Sequence, residues 1–488
     1  MERKLNNLIA GLDLNARGSL DIEITGISSN SQTIKPGDLF LARRGKKFDA
    51  TEFIPQAAAA GAVAVLSDIY NPFASEITQL ITSDFAFHEE ELIQRFYDYP
   101  ARKLSLIGIT GTNGKTTTSY LLHHLFDPCG LIGTVEWRTG NATMPADRTT
   151  PDLLTLTKLF YEMAQSKCER AVMEVSSHAL TQGRARSFSF DVAVFTNLTQ
   201  DHLDYHQTME NYAAAKALLF SSLSNSASAV VNVDDPAHKI ILAQCKANVF
   251  TYGFGAADLR ASDLHQTASG MEFNLHYRGN VHAFCSKLIG RFNVYNILAA
   301  VSVGLTQGFS MKFILSKLSA FSSVPGRLER VVNPQGLPIF VDYAHTDDAL
   351  RNVLETLQEC KKGRIITVFG CGGSRDAGKR PKMARAAESL SDVIIVTSDN
   401  PRAEDPDEII RQVLTGITNR SQCLVEVDRR KAIAKAVSIA QKDDIILIAG
   451  KGHEKTQEFK DHSIPFDDCL EAKQACFDLQ RAFVDKAG

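Results

Sequence analysis

The sequence predicts an α/β fold built as three domains on mainly parallel sheets. Three observations carry that reading. At 488 residues the chain is long enough for about three domains of ordinary size. Short apolar runs of strand length alternate with helical segments from end to end, as in strands joined by helical crossovers. Several of these strands run straight into glycine-rich or polar loops, the place where open α/β sheets bind ligands.

Residues 1–102 contain the strand-like runs DIEITGIS, DLFLARR and AVAVLS and the helical stretch IPQAAAAGA, a small α/β domain; the proline and arginine within 99–102 mark its end. Residues 103–328 carry LSLIGIT, AVMEV, VAVFTNL and AVVNV with helical segments between them, a central domain on a mainly parallel sheet. In residues 329–488 the strands RIITVFG, DVIIVTSD and DIILIAG each open into a polar or glycine-rich loop, so three loops should converge on a second pocket.

Composition narrows the class. With 44% hydrophobic and 22% charged residues the chain reads as an ordinary soluble protein, and a formal net charge of −3 gives no overall footprint for nucleic acid or an anionic membrane. Anions must then be bound locally. Nine scattered cysteines, with no C-x-x-C, resemble reduced cytoplasmic thiols more than a disulfide framework or a zinc site. The apolar stretch near the N-terminus is too short for a signal peptide, and no segment has the length of a membrane span. The expectation is a cytoplasmic protein without membrane insertion.

The most informative stretch begins at Leu104: LSLIGITGTNGKTTTSYLLHH reads as buried strand, glycine loop and helix start. Such a loop offers backbone N–H groups and a positive helix end to phosphate, with Lys115 for the β/γ oxygens and the Thr116 hydroxyl for Mg²⁺. Ile109 stands where the usual G-x-x-x-x-G-K-[ST] pattern has its first glycine. Residues 373–380, GSRDAGKR, have the glycine spacing, but Arg380 replaces the metal-binding hydroxyl and Pro381 follows; this loop is assigned a different anion.

Other side chains bear on the chemistry. Glu174 ends the strand AVMEV, either as a Mg²⁺ partner of Thr116 or as a solvated acid at a strand end. The loop TQDHLDYH concentrates Asp201, His202, Asp204 and His206, suited to magnesium or substrate near phosphate, or with the two aspartates merely capping. Lys216 lies four residues after Tyr212 and four before Phe220, on the apolar face of its helix. It is either a snorkelling lysine or a buried neutral amine that becomes a carbamate. At the last three strand mouths stand Arg375, Arg402 and Glu454: guanidinium groups for a carboxylate and a carboxylate for an amine, unless each arginine makes only a surface ion pair.

Taken together, GTNGKTTT, MEVSSHAL, FTNLTQDHLDYH, YAAAKALLF, GRFNVYN, PGRLE, VDYAHT, DNPR and GKGHE resemble the Mur ligases, most closely the MurE branch, over nearly the full chain. The resemblance implies an ATP-dependent amide-bond ligase: an N-terminal domain for a UDP-sugar substrate, a central phosphate-loop ATPase and a C-terminal Rossmann-like domain for the incoming amino acid. The loop at 373–380 then belongs to amino-acid binding. Carried over by position, Gly111, Thr112, Asn113, Gly114, Lys115, Thr116 and Thr117 hold the ATP phosphates. Thr116 and Glu174 serve one Mg²⁺, and His202 with a CO₂-derived carbamate on Lys216 serves a second. Asn293 and Asn296 face adenine, Arg327 the γ-phosphate, and Asp342 with His345 the ribose and phosphate. Ser29, Ser31, Thr149, Thr150, Ser176, Gln182 and Arg184 match positions for UDP-muramoyl-dipeptide. Arg375, Asp399, Asn400, Pro401, Arg402, Gly450 and Glu454 match those for meso-diaminopimelate, whose extra carboxylate lysine lacks. Lys115, Glu174, His202 and Lys216 are the implied catalytic set, acting in peptidoglycan precursor synthesis by a monomer on small molecules, without nucleic acid. An L-lysine-adding relative, a folylpolyglutamate synthetase and a nucleotide-gated binding protein are the rival readings. Two positions depart from the family: Asn30 replaces an aspartate, which bears on the uridine contacts, and Asp347 replaces a proline, from which only a local backbone change is expected.

Overall fold

Strands buried on both faces must be apolar throughout, and the apolar runs of this chain fold that way. The structure, a computed structural model, describes residues 3–45 and 49–487, and counts of elements refer to these described residues. Three sheets of five, eleven and six strands follow one another along the chain.

The first sheet runs Asn15–Arg17, Thr78–Ile81, Ala64–Ser67, Asp38–Leu41, Gly26–Ser28, parallel except for its first pair. In the middle sheet Ser105–Thr110 lies between Arg170–Glu174 and Val192–Phe195, all three parallel. Their carboxyl ends therefore open at one edge. Side chains alternate between two cores. Ile107, Ile109, Val172 and Val194 face the helices Lys115–Leu125 and Arg291–Thr306, whereas Leu106, Ala171, Met173 and Ala193 face Leu153–Gln165 and Met209–Ser221. Gly108 falls in the second set, where a Cβ would meet the Phe190 ring at 2.9 Å.

The parallel middle sheet is as expected, but antiparallel strands extend it at both ends. Glu136–Arg138 and Thr143–Pro145 flank one side, and Leu259–Thr267, Gly270–Tyr277 and Asn280–Ser286 the other. The latter three alternate buried and exposed residues, so they read weakly beside the fully apolar runs. Their hairpin joins the third domain: Ala268 packs against its core, Ile289 is part of that core, and Gln266 accepts from the Gly290 N–H at 3.0 Å while donating to Glu359.

The third sheet places Ile339–Asp342, Ile445–Ala449, Ile365–Phe369 and Val393–Val396 side by side and parallel, so their four carboxyl-end loops also share an edge. A buried ion pair fastens the last helix to it. Arg429 donates to both Asp468 oxygens at 2.8 and 2.7 Å and to the Ala449 carbonyl at 3.1 Å, with neither side chain exposed. Arg429→Met strands a buried carboxylate and should lower stability to urea unfolding by about 3–5 kcal/mol, whereas adding Asp468→Leu should recover most of it.

Candidate active site

The phosphate loop is shaped by backbone that only glycine adopts easily. Gly111 and Gly114 have φ of +149° and +86°; a Cβ on the first would enter the Thr196 hydroxyl and on the second the Asn296 amide oxygen. Ile109 is a core residue of the strand, and the loop is braced from the next strand instead. Asn197 accepts from the Thr112 N–H through its carbonyl (2.8 Å) and from the Asn113 N–H through Oδ1 (2.9 Å), and Thr196 Oγ1 donates to the Asn113 carbonyl at 2.6 Å. Two of the loop N–H groups expected to face phosphate are thus occupied. The first-turn N–H groups of the helix Lys115–Leu125 remain for an anion, since a helix cannot satisfy them internally.

Two lysine side chains meet on one carbonyl. Lys115 Nζ donates to Gly111 O at 2.9 Å and Thr112 O at 2.8 Å, and Lys216 Nζ donates to the same Gly111 O at 2.8 Å. Lys216 is 1% exposed, which excludes the snorkelling reading, and its Nζ lies 4.2 Å from the centre of the Tyr212 ring. Burial, reinforced by the Lys115 charge, holds its amine well below the ordinary lysine range. Burial also lowers Lys115, with Glu174 opposing and Arg327 adding to the shift.

Glu174 is fully buried, not a solvated acid. Its Oε2 accepts from Thr116 Oγ1 at 3.1 Å and Thr134 Oγ1 at 3.0 Å, and Oε1 from the Thr134 N–H at 3.0 Å. A carboxylate beside a threonine hydroxyl is a hard oxygen set that fits Mg²⁺. His202 is elsewhere. Its backbone is left-handed, its N–H donates to Asp201 Oδ1 at 2.8 Å in the local manner of a cap, and its ring stacks edge-on to His178. The ring centres of His202 and Tyr212 are 6.1 Å apart, and Tyr212 carries Lys216 on its face. The structure does not bring His202 and Lys216 into contact. Among the described residues no group of three or more His, Cys, Asp or Glu gathers as a metal site, and an amine donating to Gly111 is no ligand. A second metal fits there only if Lys216 carries a carboxyl group.

The positions expected to bind the UDP substrate form one network around Glu174, with two outliers. Thr150 Oγ1 donates to Glu174 O (2.8 Å) and accepts from Ser176 N (3.0 Å), Thr149 Oγ1 meets Thr134 Oγ1 (3.1 Å), and Arg184 reaches Thr150 O (2.7 Å) and Gln182 Oε1 (2.6 Å). Ser29 and Ser31 lie on the first domain, tied to the middle one nearby by Lys158 Nζ on Ile27 O at 3.2 Å. Between them Asn30 caps a short 3₁₀ turn through Oδ1 and the Gln32 N–H, a role aspartate also performs. Thr346, before the departing Asp347, caps the helix Asp347–Glu359.

Asn293 and Asn296 are both buried: Asn296 Nδ2 donates to Asn293 Oδ1 (2.9 Å), Asn293 Nδ2 to Ile289 O (2.8 Å), and Asn296 lies under Gly114. Asp342 is likewise occupied by the N–H groups of Leu328 (2.7 Å) and Ala344 (2.8 Å). Arg327 stands over the Tyr343 ring with its buried Nε unpartnered among the described residues, and His345 Nδ1–H donates to Tyr343 O at 2.9 Å.

The loops of the third sheet converge as expected. Arg402 Nη1 donates to Gly373 O (3.1 Å), its Nε pairs with Glu458 (2.8 Å), and Asn400 Nδ2 donates to Glu454 Oε2 (2.8 Å). Pro401 lies against Gly373, and a Cβ on Gly450 would come 2.5 Å from Asp399 Oδ2. Arg375 is exposed on the neighbouring loop, whereas Arg380 is buried and spent on Glu404 and Gln412. The last of these loops packs on Gly326, whose Cβ position is filled by the His453 backbone, and the adjacent Arg327 is near enough to Lys115 for its charge to be felt there.

Residues 23–96, 109–304 and 326–452 match, in order, the Mur ligase family catalytic domain, the Mur ligase middle domain and the Mur ligase glutamate ligase domain. A protein of Gloeobacter violaceus named UDP-N-acetylmuramoyl-L-alanyl-D-glutamate–2,6-diaminopimelate ligase is 44% identical over 97% of this chain and 98% of its own. The chain belongs to the Mur ligase family. A Chlamydia felis relative of the same name is 43% identical over 95% and 97% of the two chains. A solved structure titled with that name is 33% identical, covers 98% of this Mur ligase and 100% of its own chain, and superimposes with a TM-score of 0.69.

Sequence reasoning missed Thr134, Asn197 and Lys451, all of which hold other site residues through tertiary hydrogen bonds. Only Lys451 carried a signal, as a lysine directly after an apolar strand and a glycine. Gly114→Ala should add about 1–2 kcal/mol of backbone strain, besides displacing Asn296, and raise the ATP KM more than it lowers the melting temperature. Glu174→Ala should cut phosphate release by about a hundred-fold or more and shift its Mg²⁺ dependence upward, measured by magnesium titration.

Proposed function

We propose that this Mur ligase adds meso-diaminopimelate to the D-glutamyl carboxylate of UDP-N-acetylmuramoyl-L-alanyl-D-glutamate at the expense of ATP. The observation that carries the reading is the pairing of a half-buried phosphate loop with a second pocket bearing Arg402, Arg375 and Glu454, in a chain similar along nearly its whole length to diaminopimelate-adding ligases. Residues 1–102 take the nucleotide-sugar end, 103–328 the ATP and 329–488 the amino acid. The enzyme acts in the cytoplasm as a monomer on these small molecules.

A carboxylate is a poor acyl donor because oxide would have to leave. The substrate oxygen therefore attacks the γ-phosphorus, its bond to ADP breaks, and an acyl phosphate forms. Lys115, released from the Gly111 and Thr112 carbonyls, and Arg327 balance charge on the transferring oxygens. Thr116 and Glu174 would hold magnesium, which would supply further positive charge there. The amine of diaminopimelate then attacks the acyl carbon, the bond to phosphate breaks, and the amine loses a proton as phosphate departs. Arg402, steadied by Glu458 and Gly373, and Arg375 take the distal carboxylate of diaminopimelate, while Glu454 takes an amine.

Lys216 suits carbamylation because CO₂ adds to a neutral amine and burial shifts this one toward that form. The carboxyl so formed would offer, with His202, an oxygen and an imidazole to a second magnesium ion.

Phosphate release should require both UDP-muramoyl-dipeptide and an amino acid, with diaminopimelate preferred over lysine and glutamate; release indifferent to both would sink the assignment. Lys216→Ala should lose nearly all ligase activity without rescue by bicarbonate, and the parent enzyme under ¹³CO₂ should show a carbamate carbon signal that the variant lacks. Arg402→Ala should raise the diaminopimelate KM by about ten-fold or more and leave that for ATP nearly unchanged.

A further inference from the structure

The structure assigns Lys451 as a positioning residue for the incoming amino acid: it locks one oxygen of Glu454, leaving the other as the acceptor for the substrate amine. The assignment rests on the proposed use of the third-domain pocket. Lys451 follows Gly450 at the mouth of Ile445–Ala449, and its side chain is 0% exposed. Full burial of an ammonium is costly unless its charge and protons are met, so a lysine kept there has specific partners.

Those partners come from two strand mouths. Lys451 Nζ donates to Asn400 Oδ1 at 2.8 Å and to Glu454 Oε2 at 3.0 Å. Asn400, 3% exposed, closes the triangle by donating Nδ2 to the same Glu454 oxygen at 2.8 Å, and its Oδ1 also accepts from the Glu458 N–H at 3.0 Å. Every side-chain group of Asn400 that bonds is thus engaged within the protein, which makes it a bridge more than a ligand contact. Glu454 Oε2 holds two donors, Oε1 holds none among the described residues, and the Glu454 side chain stays 30% exposed. The carboxylate can rotate neither oxygen away from this lock without breaking two charge-assisted bonds. One lone-pair direction is therefore presented to an amine in a fixed place, and the DNPR and GKGHE loops are held in register by the same ammonium.

Lys451→Met keeps the stem and removes the charge. Steady-state kinetics on the full-length enzyme should show the diaminopimelate KM raised by about ten-fold or more, with the KM values for ATP and UDP-muramoyl-dipeptide within about two-fold of the parent. In a Glu454→Gln background the same substitution should add no more than about two-fold, because the residue acts through Glu454. All three KM values rising together, or the two single effects multiplying, would overturn the assignment and point to plain loop stability. If Lys451→Met does not fold, Lys451→Gln, which still donates to Asn400, is judged by the same two comparisons. Parent enzyme that turns over with diaminopimelate while the variants multiply defeats this inference alone; parent enzyme indifferent to diaminopimelate defeats the pocket assignment beneath it.

Discussion

The Gly111 carbonyl oxygen, shared by Lys115 and Lys216, is the point on which the middle of the molecule is organised. Two like charges beside one buried oxygen oppose each other's ionisation, so burial first and the Lys115 charge second push Lys216 toward its neutral form. The arrangement demands glycine at 111, a braced loop and an apolar helix to deliver the second lysine. Phosphate arriving at the helix start gives Lys115 a better partner than two carbonyls, so nucleotide binding and the state of Lys216 are physically linked.

The same economy recurs in the third sheet. Arg429 with Asp468, and Lys451 with Asn400 and Glu454, place cations beneath the pocket floor, where each is matched by a carboxylate. Such pairs contribute little net stability compared with apolar packing, but they fix loop geometry strongly because breaking one leaves a charge without solvent. The pocket-facing groups Arg402 and Glu454 are left with one open edge each.

Much of this was legible in the sequence. Fully apolar runs such as LSLIGIT and DIILIAG identify internal strands, and the glycines, Lys115 and Thr116 that follow identify the phosphate loop. What was not legible is the difference between a polar side chain that meets ligand and one satisfied inside the protein. Asn293, Asn296 and Asp342 match ligand positions in the chain, and only the fold shows that their side chains also hold protein partners. Thr134, Asn197 and Lys451 were passed over because their value comes from partners between 40 and 84 positions away. The half-exposed strands of the middle sheet's antiparallel edge were passed over for a different reason, their diluted apolar pattern.

That antiparallel edge has a bearing on how the two larger sheets relate. Ile289 belongs to the core of the third domain although it lies in the second, and Ala268 leans on it from the hairpin tip. A polypeptide cut after residue 328 would uncover an oily spot with nothing to seal it, and its solubility should suffer accordingly. In the intact enzyme that greasy contact, with the Gln266 side chain beside it, fastens the hairpin to the third domain.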